Sequence, residues 1–348
     1  MRTRFGLLFV LFSIFLLIVA CSSPSGTSEV VDTEESTIKE QGEEDGKEKV
    51  LNLLLPNFNN ESEQAQWERV IEVFENANPD ISVQYSTDVT RVQDGKLVAT
   101  LQSGTNIPDV ILADGSVSGI TFLANAGLID PMGDLYDKNG WKDQIVPFAY
   151  DYATQTMNDT YMLPHVIDIF GVYYHRDILE NYGITSMETL EEFENALQTI
   201  KEAGQVPIKI GGRTAFTVTW VHSPLMNAVA GSEVMKNILF GDGDWTHPKI
   251  VEATKTLERW IKNEYISADS ISLELGDAIQ QFFAKQYPIA FLGTYQIADF
   301  ETRDMDVEYL TLPASSDDIN VSPTAGIGKA WVIPSDAENK DLAEIWLN

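Results

Sequence analysis

The 348-residue chain contains a single cysteine, Cys21, only four histidines and few basic residues. One cysteine excludes internal disulfide bonds and any metal site built from several thiolates. Lysine and arginine together number 23 against 53 acidic residues, a net charge of −30 at pH 7. Such a chain repels phosphate backbones, so we expect no nucleic acid partner. The 44% of hydrophobic residues nevertheless suffices for sizeable cores, and the length suits two α/β lobes.

Short motifs of common enzymes are also missing. The sequence has no Gly-x-Ser-x-Gly and no His-Glu-x-x-His, which carry hydrolase and metalloprotease chemistry. Residues 326–330 superficially suggest a phosphate-binding loop, but Pro323 stands where that loop needs glycine and Ala330 where it needs serine or threonine. His165 and Asp168 are three residues apart, and two residues do not make a metal site. We therefore expect that the protein has no catalytic residue, metal or cofactor and that it is not an enzyme.

The one long apolar run lies at the N-terminus. Arg2 and Arg4 precede an almost uninterrupted apolar stretch over residues 5–19, which is typical of a signal peptide and short for a membrane span. Its end, Ile18-Val19-Ala20-Cys21, resembles the lipobox of bacterial lipoproteins. We expect residues 1–20 to be cleaved and Cys21 to carry diacylglycerol and an acyl chain such as palmitate. The alternative is a plain secretory signal with an incidental cysteine.

Residues 22–49 read as a tether. They contain nine acidic and three basic residues and no aromatic residue, so they bury too little apolar area to offset the entropy of ordering. The predicted lipidated and disordered segment thus runs from Cys21 to residue 49. A flexible segment of this length spans roughly 30 Å.

From Val50 onward the pattern is that of alternating strands and helices. An apolar run over 50–55, a helical stripe of Trp67, Val70, Ile71 and Phe74, and alternation over 81–85 predict strand, helix and strand. Further segments continue in this order, which favours a parallel α/β sheet. In the second half, the sequence predicts a strand over 171–174, a helix capped by Thr189, a helix opened by Pro248 and a strand over 288–292. The Pro248 helix is expected to turn Ile250, Ala253, Leu257, Trp260 and Ile261 inward.

Several segments together resemble the family 1 solute-binding proteins of ABC importers. The matching stretches are FENANPDISV (74–83), LQSG (101–104), PDV (108–110), YMLP (161–164), VYYHRD (172–177), TLEEF (189–193), FAK (283–285), AFLGTY (290–295), AGIG (325–328) and WVIP (331–334). The order and spacing hold from about residue 50 to the end. His175 stands where asparagine is usual, and Leu190 and Tyr295 replace common tryptophans.

This resemblance implies a type II periplasmic-binding-protein fold, in which two α/β lobes enclose a ligand cleft. We expect the first lobe to comprise residues 50–157 and 307–348 and the second lobe residues 158–306. Family members continue for several more helices beyond the pattern in which Asn348 stands. We therefore expect the chain to be partial, with C-terminal helices missing.

The resemblance also implies capture of a carbohydrate, monosaccharide or oligosaccharide, and its delivery to the transmembrane subunits of an ABC importer. Sugars need aromatic faces and planar carboxylate or amide groups. Candidate ligand-binding residues are Asp168, Tyr295, Trp220, Asp114 and Asn59. Core packing is the alternative for Trp220, and a structural or solvated role is the alternative for Asp168.

Two other functions stay open on the sequence. One is a lipid-anchored extracellular carbohydrate-active enzyme, because 53 acidic residues leave room for a catalytic carboxylate pair. The other is a binding protein for a peptide, a polyamine or a metal chelate. In each case we expect a monomer on the outer face of the cytoplasmic membrane, of the Gram-positive type, held there by its lipid anchor.

Overall fold

The computed structural model describes residues 49–58, 60–154, 157 and 159–348. The signal peptide, Cys21 and the tether up to residue 48 lie outside the described residues, as does Asn59. The strands are β1 (Lys49–Pro56), β2 (Ile81–Asp88), β3 (Val110–Asp114), β4 (Leu163–His175), β5 (Ile289–Gly293), β6 (Val307–Leu310) and β7 (Thr324–Val332).

Thirteen α-helices are described between and after these strands. They are α1 (Glu61–Ala77), α2 (Lys96–Ser103), α3 (Val117–Asn125), α4 (Gly133–Asn139), α5 (Pro147–Thr154), α6 (Arg176–Asn181), α7 (Leu190–Glu202), α8 (Thr219–Ala230), α9 (Ser232–Phe240), α10 (Pro248–Lys262), α11 (Leu275–Phe283), α12 (Ile297–Thr302) and α13 (Lys340–Leu347). None of the helices in the described part is both long and apolar enough to cross a bilayer.

The strands form one mixed sheet in the order β2-β1-β3-β7-β4-β5, with β6 also paired to β4. β1 is parallel to both β2 and β3, as the alternation of strands and helices predicts. The second half differs, because β4 is antiparallel to β5, β6 and β7. The expectation of parallel pairing is therefore right for the first three strands and wrong for the others.

β4 is the longest of the described strands and lies between β7 and β5 in the sheet. Its first part, residues 163–170, pairs with β7, whereas residues 170–174 pair with β5. The sequence predicts only residues 171–174 as a strand, because the preceding residues include Pro164, His165 and Asp168 and break the apolar pattern. Strand pairing with β7 overrides that local signal.

Apolar side chains cover both faces of the sheet, which explains the continuous apolar runs in the strands. In β1, Leu51, Leu53 and Leu55 belong to one hydrophobic cluster and Leu54 to another on the opposite side. In β4, Val172 and Tyr173 are divided in the same way between two further clusters. The first two clusters draw on residues 51–163 and 327–343, and the other two on residues 172–312.

The described residues belong to a single compact unit by backbone contact. The division into two lobes therefore stays a prediction, although the separate pairs of clusters are what two lobes would require. Each pair would form one core of its own.

The helices predicted around residues 67–74, after Thr189 and from Pro248 are present as α1, α7 and α10. Thr189 caps α7 by accepting a hydrogen bond from the Glu192 backbone N–H at 3.1 Å, and Pro248 is the first residue of α10. Trp260 is fully buried, as its helical stripe predicts. Two stripe residues were assigned wrongly: Val70 is 49% and Ile261 is 55% exposed. Each stands at the edge of its apolar stripe, where the side chain stays accessible to solvent.

Candidate functional site

The chemistry-bearing side chains gather where β3, β7 and β4 lie side by side. Asp114 is the last residue of β3, and its Cα pairs with that of Lys329 in β7. Asp168 in β4 pairs with Gly326 of the same β7 strand. Three residues far apart in sequence are thus brought to neighbouring strands, and we call Asp114, Asp168 and Lys329 the charge cluster.

Asp168 has few partners for a half-buried carboxylate. The Thr294 hydroxyl donates to Asp168 Oδ1 at 3.5 Å, a long and therefore weak bond. The same hydroxyl accepts from the Ile169 backbone N–H at 3.1 Å. Burial raises the pKa of Asp168, and the attraction of Lys329 and the bond from Thr294 offset part of this rise. The carboxylate keeps free acceptor capacity for a bound molecule.

Gly328 makes room for this carboxylate. A Cβ atom built on Gly328 would lie 2.1 Å from Asp168 Oδ2, so any larger residue would displace the acid. The requirement for glycine in the AGIG segment therefore comes from the side chain on the neighbouring strand.

Asp114 is the second half-buried acid of the site. Burial raises its pKa, while Lys329, Arg91 and the backbone N–H of Ser116 act to lower it. Asp114 lies on one side of β7 and Asp168 on the other, and repulsion from Asp114 adds to the rise in the pKa of Asp168. With one lysine for two acids, the charge cluster has a net charge of −1 when ionised.

A group of four aromatic rings adjoins the charge cluster, and we call it the aromatic platform. Ring centroids of Phe170 and Trp220 are 5.1 Å apart, those of Trp220 and Tyr295 are 5.9 Å apart and those of Trp220 and Phe216 are 5.4 Å apart. Phe170 and Tyr295 are also in contact, at 6.4 Å. The rings come from β4 (Phe170), the turn before α8 (Phe216), the start of α8 (Trp220) and the turn after β5 (Tyr295).

Tyr295 is the most accessible member of the platform among the predicted residues. Its ring lies over Gly293, where an added Cβ would approach it to 2.6 Å, and 40% of the residue is exposed. Partial desolvation and the nearby Asp168 raise its pKa, so the hydroxyl stays protonated and available as a donor. Trp220 is half-buried and presents part of its ring.

Two side chains reach this region from the first half of the chain. The guanidinium carbon of Arg91 lies 5.4 Å from the centroid of the Phe216 ring, a cation–π distance. The Tyr152 hydroxyl comes within 3.8 Å of a Cβ built on Gly326. Burial raises the pKa of Tyr152.

The structure brings four of the predicted site residues into one region: Asp114, Asp168, Trp220 and Tyr295. Sequence reasoning missed Lys329, Phe170, Phe216, Tyr152 and Arg91. The glycines at 326 and 328 are the signal that would have pointed to Lys329, because small residues alternating along a strand leave space beside it. Among the described residues, no group of three or more His, Cys, Asp or Glu side chains is arranged to hold a metal.

Residues 59–348 match the family model of the bacterial extracellular solute-binding protein. The chain belongs to this family. Among curated relatives, this solute-binding protein is 25% identical over 182 residues to the multiple sugar-binding protein of Streptococcus mutans, covering 52% of this chain and 41% of the relative. It is 26% identical over 165 residues to the melibiose/raffinose/stachyose-binding protein MelE of Bacillus subtilis, covering 45% and 38%. The matches thus span about two fifths of the relatives' lengths.

Solved structures share the fold of this solute-binding protein. A chitin oligosaccharide binding protein superposes with a TM-score of 0.70 at 21% identity, covering 86% of this chain and 76% of that one. The solute-binding protein RafE in complex with raffinose gives a TM-score of 0.67 at 18% identity, with the same coverage. The mixed α/β fold of periplasmic solute receptors, which the sequence predicts, is confirmed.

Proposed function

We propose that this solute-binding protein captures a carbohydrate outside the cytoplasm and delivers it to the transmembrane subunits of an ABC importer. Relatives by sequence are named as sugar-binding proteins, and the family to which the chain belongs is extracellular. These relatives are binding proteins and not enzymes, which supports a receptor that releases its solute unchanged.

The observation that carries this proposal is the aromatic platform beside the charge cluster. A pyranose ring presents a flat C–H face that packs on an aromatic ring, and hydroxyl groups around its edge. Asp168 and Asp114 have spare acceptor capacity for such hydroxyls, and Lys329 supplies a donor. Trp220 and Tyr295 supply the ring faces. One region therefore offers both stacking contacts for the C–H face of a sugar and hydrogen-bonding groups for its hydroxyls.

Two lobes that close on the solute would suit this arrangement. The proposed lobes are residues 50–157 with 307–348, and residues 158–306. Arg91 and Tyr152 belong to the first set, whereas Phe216 and Phe240, with which they are in contact, belong to the second. A solute that touches both sets would shift an open ensemble toward the closed state.

A lipid anchor at Cys21 would keep the receptor beside its importer. The lipobox-like segment and the acidic tether support this part of the proposal, and both lie outside the described residues except for Lys49, the first residue of β1. A protein without an anchor would diffuse away from a cell that has no outer membrane.

The test is a thermal-shift screen of mono- and oligosaccharides followed by calorimetry on the hits. At a free sugar concentration of 100 times Kd, binding should stabilise the native state by about 2.7 kcal/mol. Chromatography of the released ligand should recover the sugar intact. A peptide or polyamine panel serves as the control. Turnover of the sugar would contradict the receptor function, and stabilisation only by the control panel would contradict the carbohydrate.

A further inference from the structure

A second group of aromatic rings lies next to the charge cluster, and it comes from two separate helices. Phe148 and Tyr152 in α5 have ring centroids 5.9 Å apart, and Tyr152 and Phe240, at the end of α9, are 6.3 Å apart and nearly perpendicular. Phe148 is 43% and Phe240 is 39% exposed. We call these three rings the outer row.

The outer row is continuous with the charge cluster through Tyr152. The Tyr152 hydroxyl lies 3.8 Å from a Cβ built on Gly326, and Gly326 is the β-sheet partner of Asp168. The Tyr152 ring also contacts both phenylalanines. A chain of rings therefore leads from the carboxylates outward to solvent.

Exposing phenylalanine rings to water is unfavourable in free energy, so clustered exposed rings often mark a binding surface. Here Phe148 and Phe240 come from different parts of the chain and both contact Tyr152. The row offers ring faces and edges with a single hydroxyl, and no charged group of its own. Its chemistry suits the apolar face of a sugar ring with loosely specified hydroxyls, whereas the charge cluster suits a ring whose hydroxyls are individually bound.

We propose that the outer row is a second sugar subsite and that the solute is an oligosaccharide of at least two rings. One ring occupies the aromatic platform and charge cluster, and the next packs against Phe240 and Phe148. This inference rests on the proposed carbohydrate function and adds to it the size class of the solute.

The test compares ligands of increasing length on exposed-residue variants. The probes are galactose, melibiose, raffinose and stachyose, and N-acetylglucosamine with its di-, tri- and tetrasaccharides. Calorimetry measures each Kd for the parent protein, Phe240→Ala, Phe148→Ala and the control Phe122→Ala. Phe122 is 50% exposed on α3 and, among the described residues, has no close ring contact with the outer row.

In at least one series, we expect affinity to rise from the monosaccharide to the longer sugars. Phe240→Ala and Phe148→Ala should lose about 5- to 150-fold in affinity for the longer sugars, as expected for one aromatic stacking contact, and keep the parent affinity for the monosaccharide. Phe122→Ala should match the parent throughout. Unchanged melting temperatures of the empty variants would exclude misfolding as the cause.

Other outcomes overturn the inference in distinguishable ways. Equal affinity for all lengths, or full affinity of both outer-row variants for the longer sugars, would overturn the subsite while leaving the carbohydrate function intact. A parent protein that binds neither series would overturn both the subsite and the proposed function.

Discussion

Replacing Asp168 by asparagine would test the candidate site most directly. The change keeps the size of the side chain, so it fits above Gly328, and the Thr294 hydroxyl can still donate to the amide oxygen. What disappears is the negative charge and one acceptor oxygen. We expect the variant to fold normally and to bind sugar less tightly.

The size of the loss follows from the kind of hydrogen bond. Bonds to a charged group contribute about 1.5–3 kcal/mol and neutral bonds about 0.5–1.5 kcal/mol. The difference, about 1–2 kcal/mol, corresponds to roughly 5- to 30-fold in Kd. The long contact from Thr294 leaves the carboxylate free to accept from the solute, so little of this energy is already used in the empty protein.

The pH dependence has a definite sign. Burial raises the pKa of Asp168 in the empty protein, and sugar hydroxyls that donate to the carboxylate would lower it again in the complex. Binding therefore releases protons, and affinity should fall as the pH drops through the raised pKa. Asp168→Asn should flatten this fall, leaving only the part that belongs to Asp114.

The stability of the empty protein should depend on pH in the opposite direction to sugar affinity. Because folding raises the pKa of Asp168, the ionised carboxylate destabilises the native state above that pKa. Asp168→Asn should therefore leave the melting temperature at neutral pH unchanged or slightly higher. Loss of binding without loss of stability is the pattern expected of a ligand-binding residue.

The assay is calorimetry with the best sugar from the screen, between about pH 7 and about pH 4 to cover the carboxyl range, with melting curves of each empty protein. Asp80→Asn is the matched control, since Asp80 is an exposed acid in the turn before β2. Equal affinity and equal pH dependence in Asp168→Asn and the parent would refute the placement of the solute at the charge cluster.

Three further predictions concern other parts of the chain. Tyr295→Ala should weaken sugar binding by about 1–3 kcal/mol through lost stacking, at nearly unchanged melting temperature; calorimetry that shows full affinity would remove Tyr295 from the site. Trp260→Ala should cost about 3–5 kcal/mol of unfolding free energy in denaturant, because the side chain is fully buried and its Nε1–H donates to Glu194 Oε1 at 2.7 Å. A stable variant would mean that the core repacks. Cys21→Ala should move the mature protein from the detergent phase to the aqueous phase, and equal partitioning of both proteins would contradict lipidation.

Much of the first half of the fold was predictable from local pattern. The apolar run at β1 predicts a strand covered on both faces, and Leu51 and Leu54 are indeed buried on opposite sides. Gly104 adopts the left-handed conformation and ends α2, as expected for a glycine that follows a helical segment. Such elements are readable because short-range periodicity and caps determine them.

The second half was less readable because pairing partners lie far away in sequence. The antiparallel arrangement of β4 with β7 joins segments about 160 residues apart, and nothing in either segment specifies the direction of its partner. The early part of β4 carries polar residues because it passes through the candidate site. Local pattern therefore predicts a loop where tertiary pairing makes a strand.

The candidate site divides in the same way. Residue chemistry and family resemblance were enough to select Asp168, Tyr295, Trp220 and Asp114, since carboxylates and aromatics near strand ends are what a sugar needs. Their proximity, and the presence of Lys329 among them, depend on the register of three strands. The outer row depends on two helices meeting at Tyr152. Sequence by itself thus determined the kinds of groups and the family, whereas tertiary structure alone decided which of them face the same space, because that is set by long-range packing and not by neighbours along the chain.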